Sequence, residues 1–104
     1  MQMAVLVYWP SAIALQAEIW RVLDLSGLTN SVRQSRNFTK AGFVFLNGNR
    51  VHGLKAAVQV NNTFTLELRF PNKRVKSLEI TLVNRPFGRR TARQNSAPEL
   101  RYKG

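Results

Sequence analysis

The segment FVFLNGNRV, at positions 43–51, constrains this chain more than any other stretch. A short apolar run meets Asn47-Gly48, the strongest short-range signal for a hairpin turn, and the chain returns through Arg50 and Val51. Upstream, Ser11 is placed to cap a helix over residues 11–25. Ile13, Ala17, Trp20 and Leu23 recur there at three- and four-residue spacing, and Leu15, Ile19 and Val22 widen the apolar stripe. Ser26-Gly27 ends that helix. Thr29 or Asn30 then caps a second helix from Ser31 to about Lys40, closed by Gly42 in the left-handed conformation favoured after a helix. Downstream, Asn61-Asn62 marks a turn into TFTLELRF, where Phe64, Leu66 and Leu68 alternate with Thr65, Glu67 and Arg69 as in a half-buried strand. The run SLEITLV puts Leu78, Ile80 and Leu82 on one face and can pair with that strand across the basic turn PNKRVK.

These signals predict an α+β fold in which two helices joined by a tight turn pack on a small antiparallel β-sheet, with a basic, extended C-terminal tail beyond it. Residues 1–10 are read as an N-terminal extension, 11–83 as the folded domain and 84–104 as the tail. A chain of 104 residues holds one hydrophobic core, and its 44% apolar content is enough to build it. Sixteen Lys and Arg face five acids, a formal net charge of +11, so the partner is expected to be polyanionic. The charge is uneven: residues 1–68 carry six basic and three acidic side chains, residues 69–104 ten and two. Two binding surfaces of different character are implied.

The second helix carries one of them. Val32, Ser35 and Phe38 fall on a side expected to pack, while Arg33, Arg36, Asn37 and Lys40 recur at i, i+3, i+4 and i+7 on the other. The cations can neutralise backbone phosphates, while Asn30, Ser31 and Asn37 add neutral hydrogen bonds that fix orientation. In the hairpin, Asn47, Asn49 and Arg50 can reach a groove edge or phosphates, although Asn47 and Gly48 serve turn geometry equally well. Lys55 and His52 lie on the next loop, His52 reading as an ordinary surface residue. From Asn84 the hydrophobic periodicity is lost. Arg85, Arg89, Arg90, Arg93, Arg101 and Lys103, with Phe87 and Tyr102 available to stack on bases, form a tail expected to order only on a polyanion.

The stretch GLTNSVRQSRNFTKAGFVFLNGNRV resembles the S-four type RNA-binding domain of the ribosomal small-subunit protein four family. Gly27-Leu28, Ser31, Arg33-Gln34, Arg36, Phe38, Gly42, Val44, Asn47-Gly48 and Val51 stand where that family has its turn, cap, basic helix, closing glycine and hairpin, and SVRQSRNF looks like the mitochondrial forms. The resemblance covers roughly residues 16–68. It implies a two-helix αL motif, the compact helical unit of that domain, packed on the sheet and binding structured RNA. In the first helix the family carries Arg-Leu-Asp where this chain has Glu18-Ile19-Trp20, so that arginine contact does not carry over. The resemblance further implies a small ribosomal protein bound to ribosomal RNA and neighbouring ribosomal proteins, mitochondrial or otherwise cytoplasmic. A ribosome-associated factor acting in assembly or on stalled subunits is the alternative.

Other classes have less to stand on. The five acids are scattered over different elements, and no phosphate-binding glycine loop or nucleophile motif occurs, so no enzyme, catalytic residue, cofactor or small-molecule substrate is expected. With no cysteine and one histidine, a disulfide scaffold, a Cys/His zinc site and thiol chemistry are excluded. The apolar opening AVLVYWPSAIAL contains Pro10 and is too short to cross a bilayer, so no membrane insertion is expected. It lacks the basic flank of a secretory signal and the Arg- and Ser-rich pattern of a transit peptide. An anionic membrane surface would call for an N-terminal amphipathic helix with a basic polar face, which this sequence does not offer.

Overall fold

A computed structural model describes residues 3–11 and 13–85. Along them run β1 (Met3–Trp9), β2 (Gln16–Glu18), α1 (Ile19–Leu25), α2 (Val32–Ala41), β3 (Val44–Leu46), β4 (Asn49–Arg50), β5 (Ala57–Gln59), β6 (Asn62–Arg69) and β7 (Val75–Asn84). The fold is α+β with a mostly antiparallel sheet. One five-stranded sheet has the order β1-β7-β6-β3-β4, and β2 pairs with β5 in a separate two-stranded ribbon. The alternation read along β6 and β7 sets their register: Phe64 faces Ile80 and Leu66 faces Leu78, so the inward residues of both strands share one face. Val44 and Leu46 of β3 add to that face opposite Leu68 and Leu66. Ile19, Val22 and Leu23 of α1 join them in one core cluster. Each such side chain contributes roughly 1.5–3 kcal/mol through burial.

The N-terminal residues depart from the sequence reading. Residues 3–9, set apart there as an extension, form an edge strand parallel to β7, with Val5 beside Ile80 and Val7 beside Leu82. Val7 and Trp9 are buried in the core. The helix expected over residues 11–25 is confined to Ile19–Leu25. Within the expected span Gln16–Glu18 form a strand, with Ala17 opposite Val58 in the ribbon, and Ile13 and Leu15 are 79% and 84% exposed. The helical spacing of Ile13 and Ala17 is a coincidence of short apolar runs, and the deciding contact is non-local: Ile19 donates its N–H to the Ala56 carbonyl and Val60 donates to the Leu15 carbonyl. A window along the chain cannot contain that pairing.

The second helix keeps closely to its signals. Ser31 is the N-cap, its Oγ accepting from the Gln34 N–H at 3.1 Å, while Gln34 Oε1 accepts from the Asn30 N–H at 2.7 Å. Gly42 closes the helix at φ +84°, and the N–H groups of Gly42 and Phe43 take the Thr39 and Phe38 carbonyls. Where α2 meets α1 the buried residues are small: Ser35 Oγ donates to the Trp20 carbonyl, and Thr39 Oγ1 donates to the Ser35 carbonyl. The packing side is thus built on Ser35 and Thr39 with Phe38 half-buried, whereas Val32, expected there, is 48% exposed.

Candidate nucleic-acid interface

Because Ser35 and Thr39 hold α2 against α1, the opposite arc of the helix is turned to solvent. Arg33, Arg36, Asn37 and Lys40 line one shallow depression together with Val32, and the three cations among them are solvent-accessible. The Arg36 guanidinium lies over the half-buried Trp20 ring, 5.3 Å from its centroid, which holds it in place without neutralising it. Among the described residues the ion pairs are Arg21 with Glu18 and Arg69 with Glu67, so none of the α2 cations has a carboxylate partner there. Helix stability does not account for this pattern. The first turn of α2 contains Arg33 and no acid, the reverse of what the helix dipole favours. Lys40 in the last turn does suit the dipole.

The other sequence candidates separate into three groups. Asn30 is exposed at the entry to α2 and Asn49 is exposed in β4, each with its side chain available. Ser31 and Asn47 are engaged in the fold: the Ser31 hydroxyl caps α2, and Asn47, at φ +49°, accepts from the Thr65 N–H through Oδ1 at 2.9 Å. Asn47 also donates its own N–H to the Thr65 carbonyl, so it clamps the β3–β4 turn to β6 through both side chain and backbone. Arg50 is exposed, with its guanidinium 5.2 Å from the centroid of the Phe45 ring and its stem passing over Gly42 at the end of α2. It is brought to the α2 end of the molecule.

Lys55 is exposed on the loop before β5. Arg85 lies past the end of β7, where its N–H donates to the Trp9 and Ser11 carbonyls, at the opposite end of the strand from the β6–β7 turn. Arg89, Arg90 and Arg93 lie outside the described residues. No family model matches this chain, and no curated protein is significantly similar to it. Its function is therefore inferred from its own residues. Among those described, no cluster of His, Asp or Glu could hold a metal ion, and no helix is long and apolar enough to cross a membrane.

Sequence reasoning missed Arg69, whose guanidinium stacks on Phe45 at 4.1 Å while pairing with Glu67. Alternation marked Arg69 as outward-facing, but which ring it would meet depends on the β3–β6 register. It also passed over Trp20 as a support for Arg36. Two arginines converging on one phenylalanine is a relation across three strands, and nothing in the local spacing signals it.

Proposed function

We propose that this chain is a small RNA-binding protein of the S-four type, in which α1 and α2 form the two-helix αL motif packed on the sheet and the exposed face of α2 docks on structured ribosomal RNA. The observation that carries the reading is the in-phase array of Arg33, Arg36, Asn37 and Lys40, grouped on one accessible face and without acidic partners among the described residues. An array of this kind positions a domain along a phosphate backbone, and the planar forks of the arginines suit bidentate phosphate contacts. The residues from Asn84 onward, rich in arginine, add affinity with little sequence choice. The resemblance of SVRQSRNF to mitochondrial forms of small-subunit protein four favours a ribosomal protein of that organelle.

The test is binding to ribosomal RNA fragments and to duplex DNA of equal length across a salt series, with wild type beside the Arg33→Ala, Arg36→Ala, Lys40→Ala triple variant. Wild type is expected to prefer RNA. The triple variant is expected to lose on the order of tenfold to a hundredfold in affinity, with a salt slope shallower by about two to three, near one unit per phosphate contact removed. Equal binding of both nucleic acids, unchanged in the variant, would reduce the chain to a nonspecific polycation.

A further inference from the structure

At the C-terminal end of α2 a groove of about 410 Å³ opens between the β3–β4 hairpin and the β6–β7 turn, bordered by Gly42, Phe43, Arg50, Arg69, Phe70 and Pro71. Its volume falls in the range of small-ligand sites, about 300–1,000 Å³. Phe45 lines it too, an aromatic residue in an unusual position. The residue is only 8% exposed, yet it is not part of the core cluster, because Phe45 points to the sheet face opposite Val44 and Leu46. In the sheet it stands between Arg50 of β4 and Glu67 of β6, and the guanidinium groups of Arg50 and Arg69 lie over its ring.

The bland reading is that two long stems shield an aromatic ring, and that Arg50 also serves the carbonyls at the end of α2. The hydrogen bonds do not support the second half. Thr39 and Phe38 carbonyls are taken by the N–H groups of Gly42 and Phe43, and the Arg50 guanidinium has no hydrogen-bond or carboxylate partner among the described residues. Arg69 spends its Nε and Nη2 on a single oxygen of Glu67, leaving Nη1 uncommitted. Two guanidinium groups are therefore held on one platform with unused N–H donors. The Phe38, Phe43 and Phe70 rings pack edge to face or tilted at 5.3–6.0 Å, so the aromatic border of the groove is fixed as well.

We propose that this groove is a second RNA subsite that receives an unpaired nucleotide, its phosphate on Arg50 and Arg69 and its base against the Phe70 and Pro71 border. The inference rests on the reading of α2 as an RNA-docking helix and extends it. Lys40, at the end of the basic arc, is followed directly by Ala41 and Gly42 of the groove, so a strand leaving a duplex held on α2 would have a short path into it. Glu67 opposes the phosphate and is offset by the arginine it binds. The site distinguishes RNA with a single-stranded extension from a blunt stem, because the fixed rings offer stacking that a paired base cannot use.

The experiment compares the full chain on a blunt RNA hairpin and on the same hairpin carrying about five unpaired nucleotides at either end, one replaced by the fluorescent base 2-aminopurine. The paired substitution Glu67→Gln with Arg69→Gln removes one groove guanidinium and leaves net charge and the α2 face unchanged. Wild type should bind one of the extended hairpins about tenfold more tightly than the blunt one, with the 2-aminopurine fluorescence falling as the base stacks. The double variant should lose that advantage and the quenching while binding the blunt hairpin as wild type does. Equal wild-type affinity for extended and blunt hairpins, without quenching, overturns the subsite even if the double variant does not fold. So does a folded variant that keeps the advantage. Failure of wild type to bind the blunt hairpin at all points instead to failure of the α2 reading.

Discussion

Lys73 stands at φ +72°, a left-handed conformation that costs a residue with a Cβ about 1–2 kcal/mol. The turn demands it. Lys73 donates its N–H to the Phe70 carbonyl, Phe70 donates to the Arg74 carbonyl, and Asn72 Oδ1 accepts from the Arg74 N–H at 3.1 Å, a tight hairpin loop in which the left-handed position normally belongs to glycine. Replacing Lys73 by Gly removes the strain but adds about 0.5–1 kcal/mol of backbone freedom to the unfolded chain. The variant is therefore expected to be more stable by about 0.5 kcal/mol, read from urea denaturation at unchanged m-value. A stabilised variant that also binds polyanions less well would show that the strain keeps a cation at the hairpin tip. Asn47-Gly48 was legible from sequence because both residues are chemically suited to positive φ, and they adopt +49° and +88°. Lysine has no such signature, so the strained position could not be read there. Phe45 and Arg69 were hidden for a different reason, since their meeting is decided by strand pairing and not by either residue's neighbours.

At the scale of elements, β1 carries more of the fold than its sequence suggests. Trp9 is 5% exposed in the core and supports the Arg21 guanidinium at 4.8 Å, and the strand completes the sheet by pairing with β7. Truncating a buried tryptophan typically costs about 3–5 kcal/mol, a large part of a small domain's stability. Trp9→Ala is accordingly expected to be strongly destabilised or unfolded at ambient temperature, which thermal melting by circular dichroism would show; a midpoint within a few degrees of wild type would mean that residues 3–9 are a dispensable extension. Elements whose signals are local came through well: α2 with Ser31 and Gly42 at its ends, the β3–β4 hairpin, and the β6–β7 pair with its two inward rows. Elements that exist by virtue of distant partners did not. The ribbon of Gln16–Glu18 with Ala57–Gln59 and the parallel docking of β1 each bring together segments about 40 residues or more apart, and the residues involved are compatible with helix or loop when read alone.

For the whole molecule the proposed function raises the question of how two basic regions would share one polyanion. The described residues place Arg33, Arg36, Lys40, Arg50 and Arg69 on α2 and at its C-terminal end, whereas Arg85 sits at the end of β7 remote from the β6–β7 turn, with Arg89, Arg90 and Arg93 next in sequence. Distant groups that contact different phosphates of one polyanion contribute nearly additively to a free energy, whereas groups that contact the same phosphates do not. Changing Arg89, Arg90 and Arg93 to Gln should weaken RNA and duplex DNA binding alike, lowering the salt slope by about two to three while leaving the ratio of the two affinities intact. The α2 triple variant should instead collapse that ratio. Combining the two sets should then give a loss equal to the sum of the separate losses within about 0.5 kcal/mol, measured at one salt concentration where all four proteins bind detectably. A combined loss well short of that sum would mean that both regions compete for the same phosphates, and the division of labour between a positioning helix and an affinity-giving C-terminal segment would have to be replaced by a single diffuse electrostatic surface.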